Sequence, residues 1–246
     1  MKIVLFILLA ILVGGGAFVA MFPVSMAAEF AAKQDPSFKY DKATGSVWDG
    51  KVTGVWYGQQ KIGDLSVKAD FGKLFTGKAG GRLGLAREGF TGETGIDYPF
   101  SGGEVQLNNI KLSGKMGLVP GMPQAVVMSD GKFTLDVKDL KFSGDACESA
   151  SGEVWTDALA KVKLKDWVGP ELRGPVTCTN GKVVVEANGK APTGEDVSAR
   201  MDISSRLDIQ MVAIVSNAKG QAVKALTEIG FVPQGNVLVM RQAIGS

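Results

Sequence analysis

Histidine is absent from the 246 residues, and cysteine occurs only twice. Without imidazole there is no Ser-His-Asp or Cys-His nucleophilic site, no histidine-ligated zinc and no side chain that ordinarily titrates near neutral pH. Cys147 and Cys178, far apart in sequence and unsupported by histidine, make a poor metal pair. An excess of charge of one sign is also missing. The 27 basic and 25 acidic residues are interspersed for a net charge of +2, so no basic stripe exists to neutralise phosphates, and nucleic acid is not an expected partner. The nearest approach to a phosphate loop, "GKLFTGKA" from Gly72 to Ala79, has Ala79 where the magnesium-holding hydroxyl belongs, and a strand-like segment follows it in place of a helix. Acidic residues sit beside basic ones, as in "DVKDLK", which reads as a solvated sheet face instead of an acid/base pair. No catalytic, cofactor-binding or metal-ligating residue is predicted, and no small-molecule substrate.

What the chain does contain begins with an apolar run. After Lys2 no charge appears from Ile3 to Ala28, and about 20 apolar residues suffice to cross a bilayer. Small residues at Ser25, Ala27 and Ala28 suit a signal-peptide cleavage site, but the run exceeds the ~7–15 residues of a signal core, which favours a retained anchor. Lys2 biases the start towards the cytoplasm and the remainder outside. Residues 1–35 are therefore expected to hold a cytoplasmic start, a transmembrane helix and a helical extension, and residues 36–246 an exported β-rich domain. Export in turn favours a disulfide between Cys147 and Cys178.

Beyond Pro36, period-two alternation of polar and apolar residues predicts strands over 51–57, 65–71, 81–86, 103–114, 131–144, 160–167, 182–189, 197–204, 206–215 and 235–241. Asp130-Gly131 and Asn180-Gly181 suit tight turns, and the 33 glycines suit many short antiparallel connections. One segment, 217–230, has helical spacing. The predicted class is all-β, a mainly antiparallel meander, sandwich or curled sheet, with an N-terminal transmembrane helix and one short helix near the C-terminus. The apolar face of such a sheet either packs its own core or forms an elongated groove for lipid chains, and a periplasmic lipid-binding or lipid-transfer protein is the alternative function this raises.

Gly-x-Val-Trp occurs twice, as Gly45, Val47, Trp48 and again as Gly152, Val154, Trp155. The copies share no nucleophile, base or ligand, so the repeat reads as architecture: a glycine admits the chain to a strand, and the aromatic covers a neighbour. With these residues the chain resembles protein N of the bacterial type II secretion system, also called general secretion pathway protein N. The resemblance rests on the N-terminal span, "GSVWDGKVTGV" (45–55), "GFVPQG" (230–235) and above all the block 147–189. That block joins both cysteines and Trp155 to Trp167, Gly169 and Pro170. It implies an accessory component anchored in the bacterial inner membrane by a single pass, with its domain in the periplasm. The partners it implies are other secretion components and the lipid bilayer, without a cofactor or catalytic residues.

Overall fold

A computed structural model describes residues 22–119, 122–162, 167–204 and 208–244. Most of the expected membrane span, up to residue 21, lies outside them; among the described residues no helix is long and apolar enough to cross a membrane. The chain is mostly antiparallel β-sheet with few helices. It divides into two compact units, one ending at Glu88 and one starting at Gly89.

The first unit opens with helix α1 (Val24–Gln34), so the end of the uncharged run does not belong to a span. Val24 and Ala28, one turn apart, are buried against Val52 and Val55 with Phe38, Ile62 and Leu65 around them. The strands are β1 (Phe38–Lys39), β2 (Lys42–Ser46), β3 (Asp49–Tyr57), β4 (Gln60–Ala69) and β5 (Lys78–Arg87). β1 and β2 pair in succession along one edge of β3, whose other edge carries β4, followed by β5. A bulge in β3 is centred on Gly54 (φ 63°), whose N–H donates to Asp64 Oδ1 at 3.1 Å. Lys51 Nζ lies 2.9 Å from the same carboxylate. The lysine first and the Gly54 N–H second hold Asp64 below the usual carboxylate range. The phosphate-loop look-alike folds into a single helical turn, α2 (Phe71–Leu74), and then into β5.

In the second unit β6 (Phe90–Pro99), β7 (Glu104–Lys115), β8 (Lys132–Ser143) and β9 (Ala146–Thr156) pair in chain order. They are joined by β10 (Leu172–Thr179), β11 (Lys182–Lys190), β12 (Asp196–Ile203) and β13 (Ile209–Ser216). Helix α5 (Gln221–Glu228) then interrupts the meander. It is preceded by two other short helical turns, α3 (Gln124–Val127) and α4 (Ala158–Lys161). After α5 the chain forms β14 (Val232–Gln234) and returns as β15 (Val237–Ile244), which inserts between β13 and β14.

Alternation sends one set of side chains to a dry face. At the α5 end, Ala222, Ala225 and Leu226 of the helix and Ile229 just after it cover Val197, Val215 and Leu238, with Trp167 and Phe231 completing the layer. Towards β7, Ile110, Val137, Leu140, Val176 and Val183 bury one another against Cys147. None of these five is more than 9% exposed, so in this region the face is filled by its own side chains. Asn180 (φ 51°) and Gly181 (φ 73°) make the two-residue turn between β10 and β11, with both central residues left-handed as the strand twist requires.

Two expectations fail for local reasons, and one strand, β10, arises where none was expected. The strand expected over 160–167 does not form at its start, where Ala158–Lys161 is a helical turn, and residues 163–166 lie outside the described ones. The Ala158 N–H donates to Thr156 Oγ1 and the Lys132 N–H donates to Asp157 Oδ1, so these side chains stop β9 and hold the turn beside β8. Asp130-Gly131 does not make a tight hairpin either, because it belongs to the long connection from β7 that holds α3. β10 has no alternating signature, since it contains Pro175; the ladder to β9 runs through that proline, whereas the ladder to β11 skips Gly174 and Pro175. A proline inside a sheet is accommodated where one ladder is broken.

Leu226 is wholly buried, so Leu226→Ala should cost about 2–5 kcal/mol, read as a lower urea midpoint at unchanged slope; a midpoint shift under a fifth of that would mean α5 is not part of the core. Cys147 and Cys178 form a disulfide with Cα atoms 5.6 Å apart and a sequence separation of 31. Replacing both by Ala should remove about 3–4 kcal/mol by loop entropy, measured by denaturant titration of both forms.

Candidate functional site

The second Gly-x-Val-Trp lies on β9, paired on one side with β8 and on the other with β10. Register places Trp155 between Thr134 and Arg173, and Glu153 between Asp136 and Pro175. These six residues stand on the face opposite the dry one, because Val154 between them packs into the core. They line an open concavity of about 660 Å³. Its floor is low because Gly152, Gly174 and Pro175 raise no long side chain.

Glu171, just before β10, ties the concavity together. The Trp155 indole N–H donates to Glu171 Oε2 at 2.8 Å, and Arg173 Nη2 donates to the same oxygen at 3.3 Å. The Arg173 guanidinium also lies 5.9 Å from the centroid of the Trp155 ring, within cation–π range. The indole donor first and the guanidinium second hold the Glu171 carboxyl below the usual range. At neutral pH it is an anion fixed between two donors and not a proton donor. The arrangement sets a half-open indole face, a guanidinium and three carboxylates at fixed positions on one face of the sheet.

The connection behind this surface is built from the other predicted residues. Trp167 is 2% exposed beneath the α5 layer. Among the described residues its Nε1 finds no acceptor. Gly169 is needed for close approach: a Cβ there would sit 2.7 Å from Cβ of Leu159. Pro170 lies against Gly189, where an added Cβ would meet its ring at 3.0 Å. Gly152 faces the backbone of Val137, leaving no room for a side chain. One contiguous piece, from β9 through the disulfide to β11, therefore contains Gly152, Val154, Trp155, Trp167, Gly169, Pro170, Cys147 and Cys178.

The first copy is built differently, and the reading of two similar strand segments is corrected here. Val47 and Trp48 form the turn between β2 and β3, whose flanking pair is Ser46 with Asp49. Gly45 takes φ 86°, and a side chain there would strike the Asp49 carbonyl. Trp48 packs edge-to-face on Phe71 with centroids 5.4 Å apart. A shared tetrapeptide thus makes a turn in one unit and a strand in the other, because its surroundings differ: Gly45 is left-handed just before the reversal and β2 pairs back on β3, whereas Thr156 and Asp157 tie β9 to Lys132. Asp136, Glu153, Glu171 and Arg173 were not singled out by the sequence pattern. A signal for them exists, since 153 and 155 alternate on one strand and 171 and 173 on the next.

Among the described residues no group of three or more Cys, Asp or Glu is placed to hold a metal ion. With this geometry in place, comparison with protein families is decisive: the family model for type II secretion system protein N matches residues 36–236. The chain belongs to that family. The match reaches both units, so the chain is an accessory component of type II secretion, and the family points to protein partners in that system. A search of curated proteins and a search of solved structures each returned no match.

Because the Glu171 pKa is lowered in the folded state, the contact with Trp155 contributes above the ordinary glutamate pKa and is lost as pH falls through the lower folded value. The Trp155 indole N–H resonance, assigned by its loss in Trp155→Phe, should titrate with a midpoint below the ordinary glutamate range. Glu171→Gln should abolish the titration. A midpoint at the ordinary value would show that the carboxylate is not held.

Proposed function

We propose that this chain is a noncatalytic docking subunit of the secretion machine, tethered to the bacterial inner membrane by residues preceding Phe22 and carrying its two β units in the periplasm. Retention of the tether is supported by α1. Cleavage among Ser25, Ala27 and Ala28 would cut the helix and remove Val24 from a core it shares with Val52 and Val55.

The observation that carries the docking role is an unfinished sheet edge. β14 covers β15 only from Val237 to Val239, and beyond that, among the described residues, no strand pairs with the outer side of 240–244. Pro233 sits opposite Leu238. It has no N–H, so this pair suits a non-hydrogen-bonded position, and alternation then turns the N–H and C=O of Arg241 and Ala243 outward. Such a row of free groups accepts an added strand from a partner. The dry face, filled by Ile110, Val137, Leu140, Val176 and Val183, favours protein docking over lipid carriage.

The full chain, captured from gently solubilised membranes, should bring down other secretion components. Ala243→Pro, which removes an outward N–H and keeps the ladder to β13, should reduce that recovery at least tenfold with little change in melting temperature. Undiminished recovery would reject the edge. Recovery of no component by the unaltered chain, with stoichiometric phospholipid extracted from it, would reject the docking role in favour of the carrier.

A further inference from the structure

The first unit displays an aromatic cluster that its fold does not use. Trp48 packs edge-to-face on Phe71 at 5.4 Å, and Phe71 packs the same way on Phe75 at 5.2 Å. Phe71 is 51% exposed and Phe75 79% exposed. Large apolar side chains this open, in mutual contact, need a reason that scattered surface residues do not. The turn that presents them is firmly built. Asp70 Oδ1 accepts the Gly72 N–H at 2.9 Å, and the Thr76 hydroxyl donates to the Lys73 carbonyl at 2.8 Å. Phe71 and Phe75, four residues apart on a helical turn, therefore emerge on one side.

The place of this cluster identifies its occupant. The Val47 N–H donates to the Phe22 carbonyl at 3.0 Å, and the Val47 carbonyl accepts the Ala69 N–H at 3.0 Å. Phe22 is the residue at which the uncharged run from Ile3 enters the described structure. The aromatic cluster and the point of entry thus share one end of the unit, one residue from each other through Val47 and Trp48. A chain that leaves a bilayer at Phe22 brings Trp48, Phe71 and Phe75 to the headgroup layer. Aromatic side chains concentrate in that layer, with the indole N–H wet and the ring apolar.

We infer that Trp48, Phe71 and Phe75 form a membrane-interface foot that rests on the phospholipid bilayer beside the N-terminal span and limits how the first unit tilts on its tether. The inference rests on the tethered reading above. The charges flanking the foot in sequence and register are Lys68, Lys73, Lys78 and Arg82 with Asp49 and Asp70. Aromatic insertion supplies the contact in a neutral bilayer, and the small positive excess adds to it where the lipid is anionic.

The test uses the full chain reconstituted in phosphatidylcholine vesicles brominated at acyl positions 6,7 or 11,12. The emission lost on Trp48→Phe isolates Trp48 from Trp56, Trp155 and Trp167. That difference signal should be quenched at least twofold by the 6,7-bromolipid and less by the 11,12-bromolipid. The double variant Phe71→Ser/Phe75→Ser, at positions more than half exposed, should reduce the quenching of Trp48 while the far-ultraviolet circular dichroism stays unchanged. A Trp48 signal quenched by neither lipid overturns the foot. Alkaline carbonate washing of the same vesicles separates the two ideas: unquenched chain that stays with the lipid defeats the foot alone, and unquenched chain that is washed off defeats the tether as well.

Discussion

A strand buried on one face must satisfy its backbone donors and acceptors with another strand, and in this protein the partner is almost always the next strand along the chain. Within each unit that rule sets the rest. Neighbouring strands in sequence need only short connections, so glycine and asparagine appear where left-handed turns are required, as at Asn180 and Gly181. Alternating side chains then give one wet and one dry face over successive strands. The departures are few and local. Gly54 bulges β3 towards Asp64, Pro175 interrupts a single ladder, and α5 delays the return of β15 until it lands inside β14.

A sheet assembled this way covers its dry face by two means. At the C-terminal end an amphipathic helix supplies the second layer, anchored by Leu226, with Ile229 just after the helix, over Val215 and Leu238. Nearer β7, among the described residues, the layer is made by aliphatic side chains from successive strands, which bury one another beside the Cys147–Cys178 bond. The disulfide ties β9 to β10 in that layer. The opposite face keeps its polar residues at fixed spacing, and there Trp155 and Arg173 hold the Glu171 carboxylate in its charged form.

Membership of the protein N family fits a body of this kind. Its open edge at β15 is the feature on which the proposed docking rests. The two tryptophans of the repeated tetrapeptide divide the labour: Trp155 is tied to Glu171 in the concavity of one unit, whereas Trp48 begins the exposed aromatic row of the other.

Much of the fold is legible in residue order. Alternation in 103–114 and 131–144 marks β7 and β8 because period two is the geometry of a strand with one dry face, and the spacing of Ala222, Ala225 and Leu226 marks α5 for the same reason at period 3.6. The want of histidine and the even cysteine count bound the chemistry by composition alone. β6 and β10 are not legible, since glycine-rich and proline-containing stretches carry weak periodicity and become strands only when both neighbours are in place. The candidate site is half legible: Trp155 stands out by repetition, but its partners become visible only when register sets Arg173 and Asp136 in the same concavity. Local patterning is a property of one segment, and the sequence alone determined that. Which glutamate meets which tryptophan, and whether a Gly-x-Val-Trp turns or runs straight, depends on pairing between distant segments, and only the tertiary structure decided it.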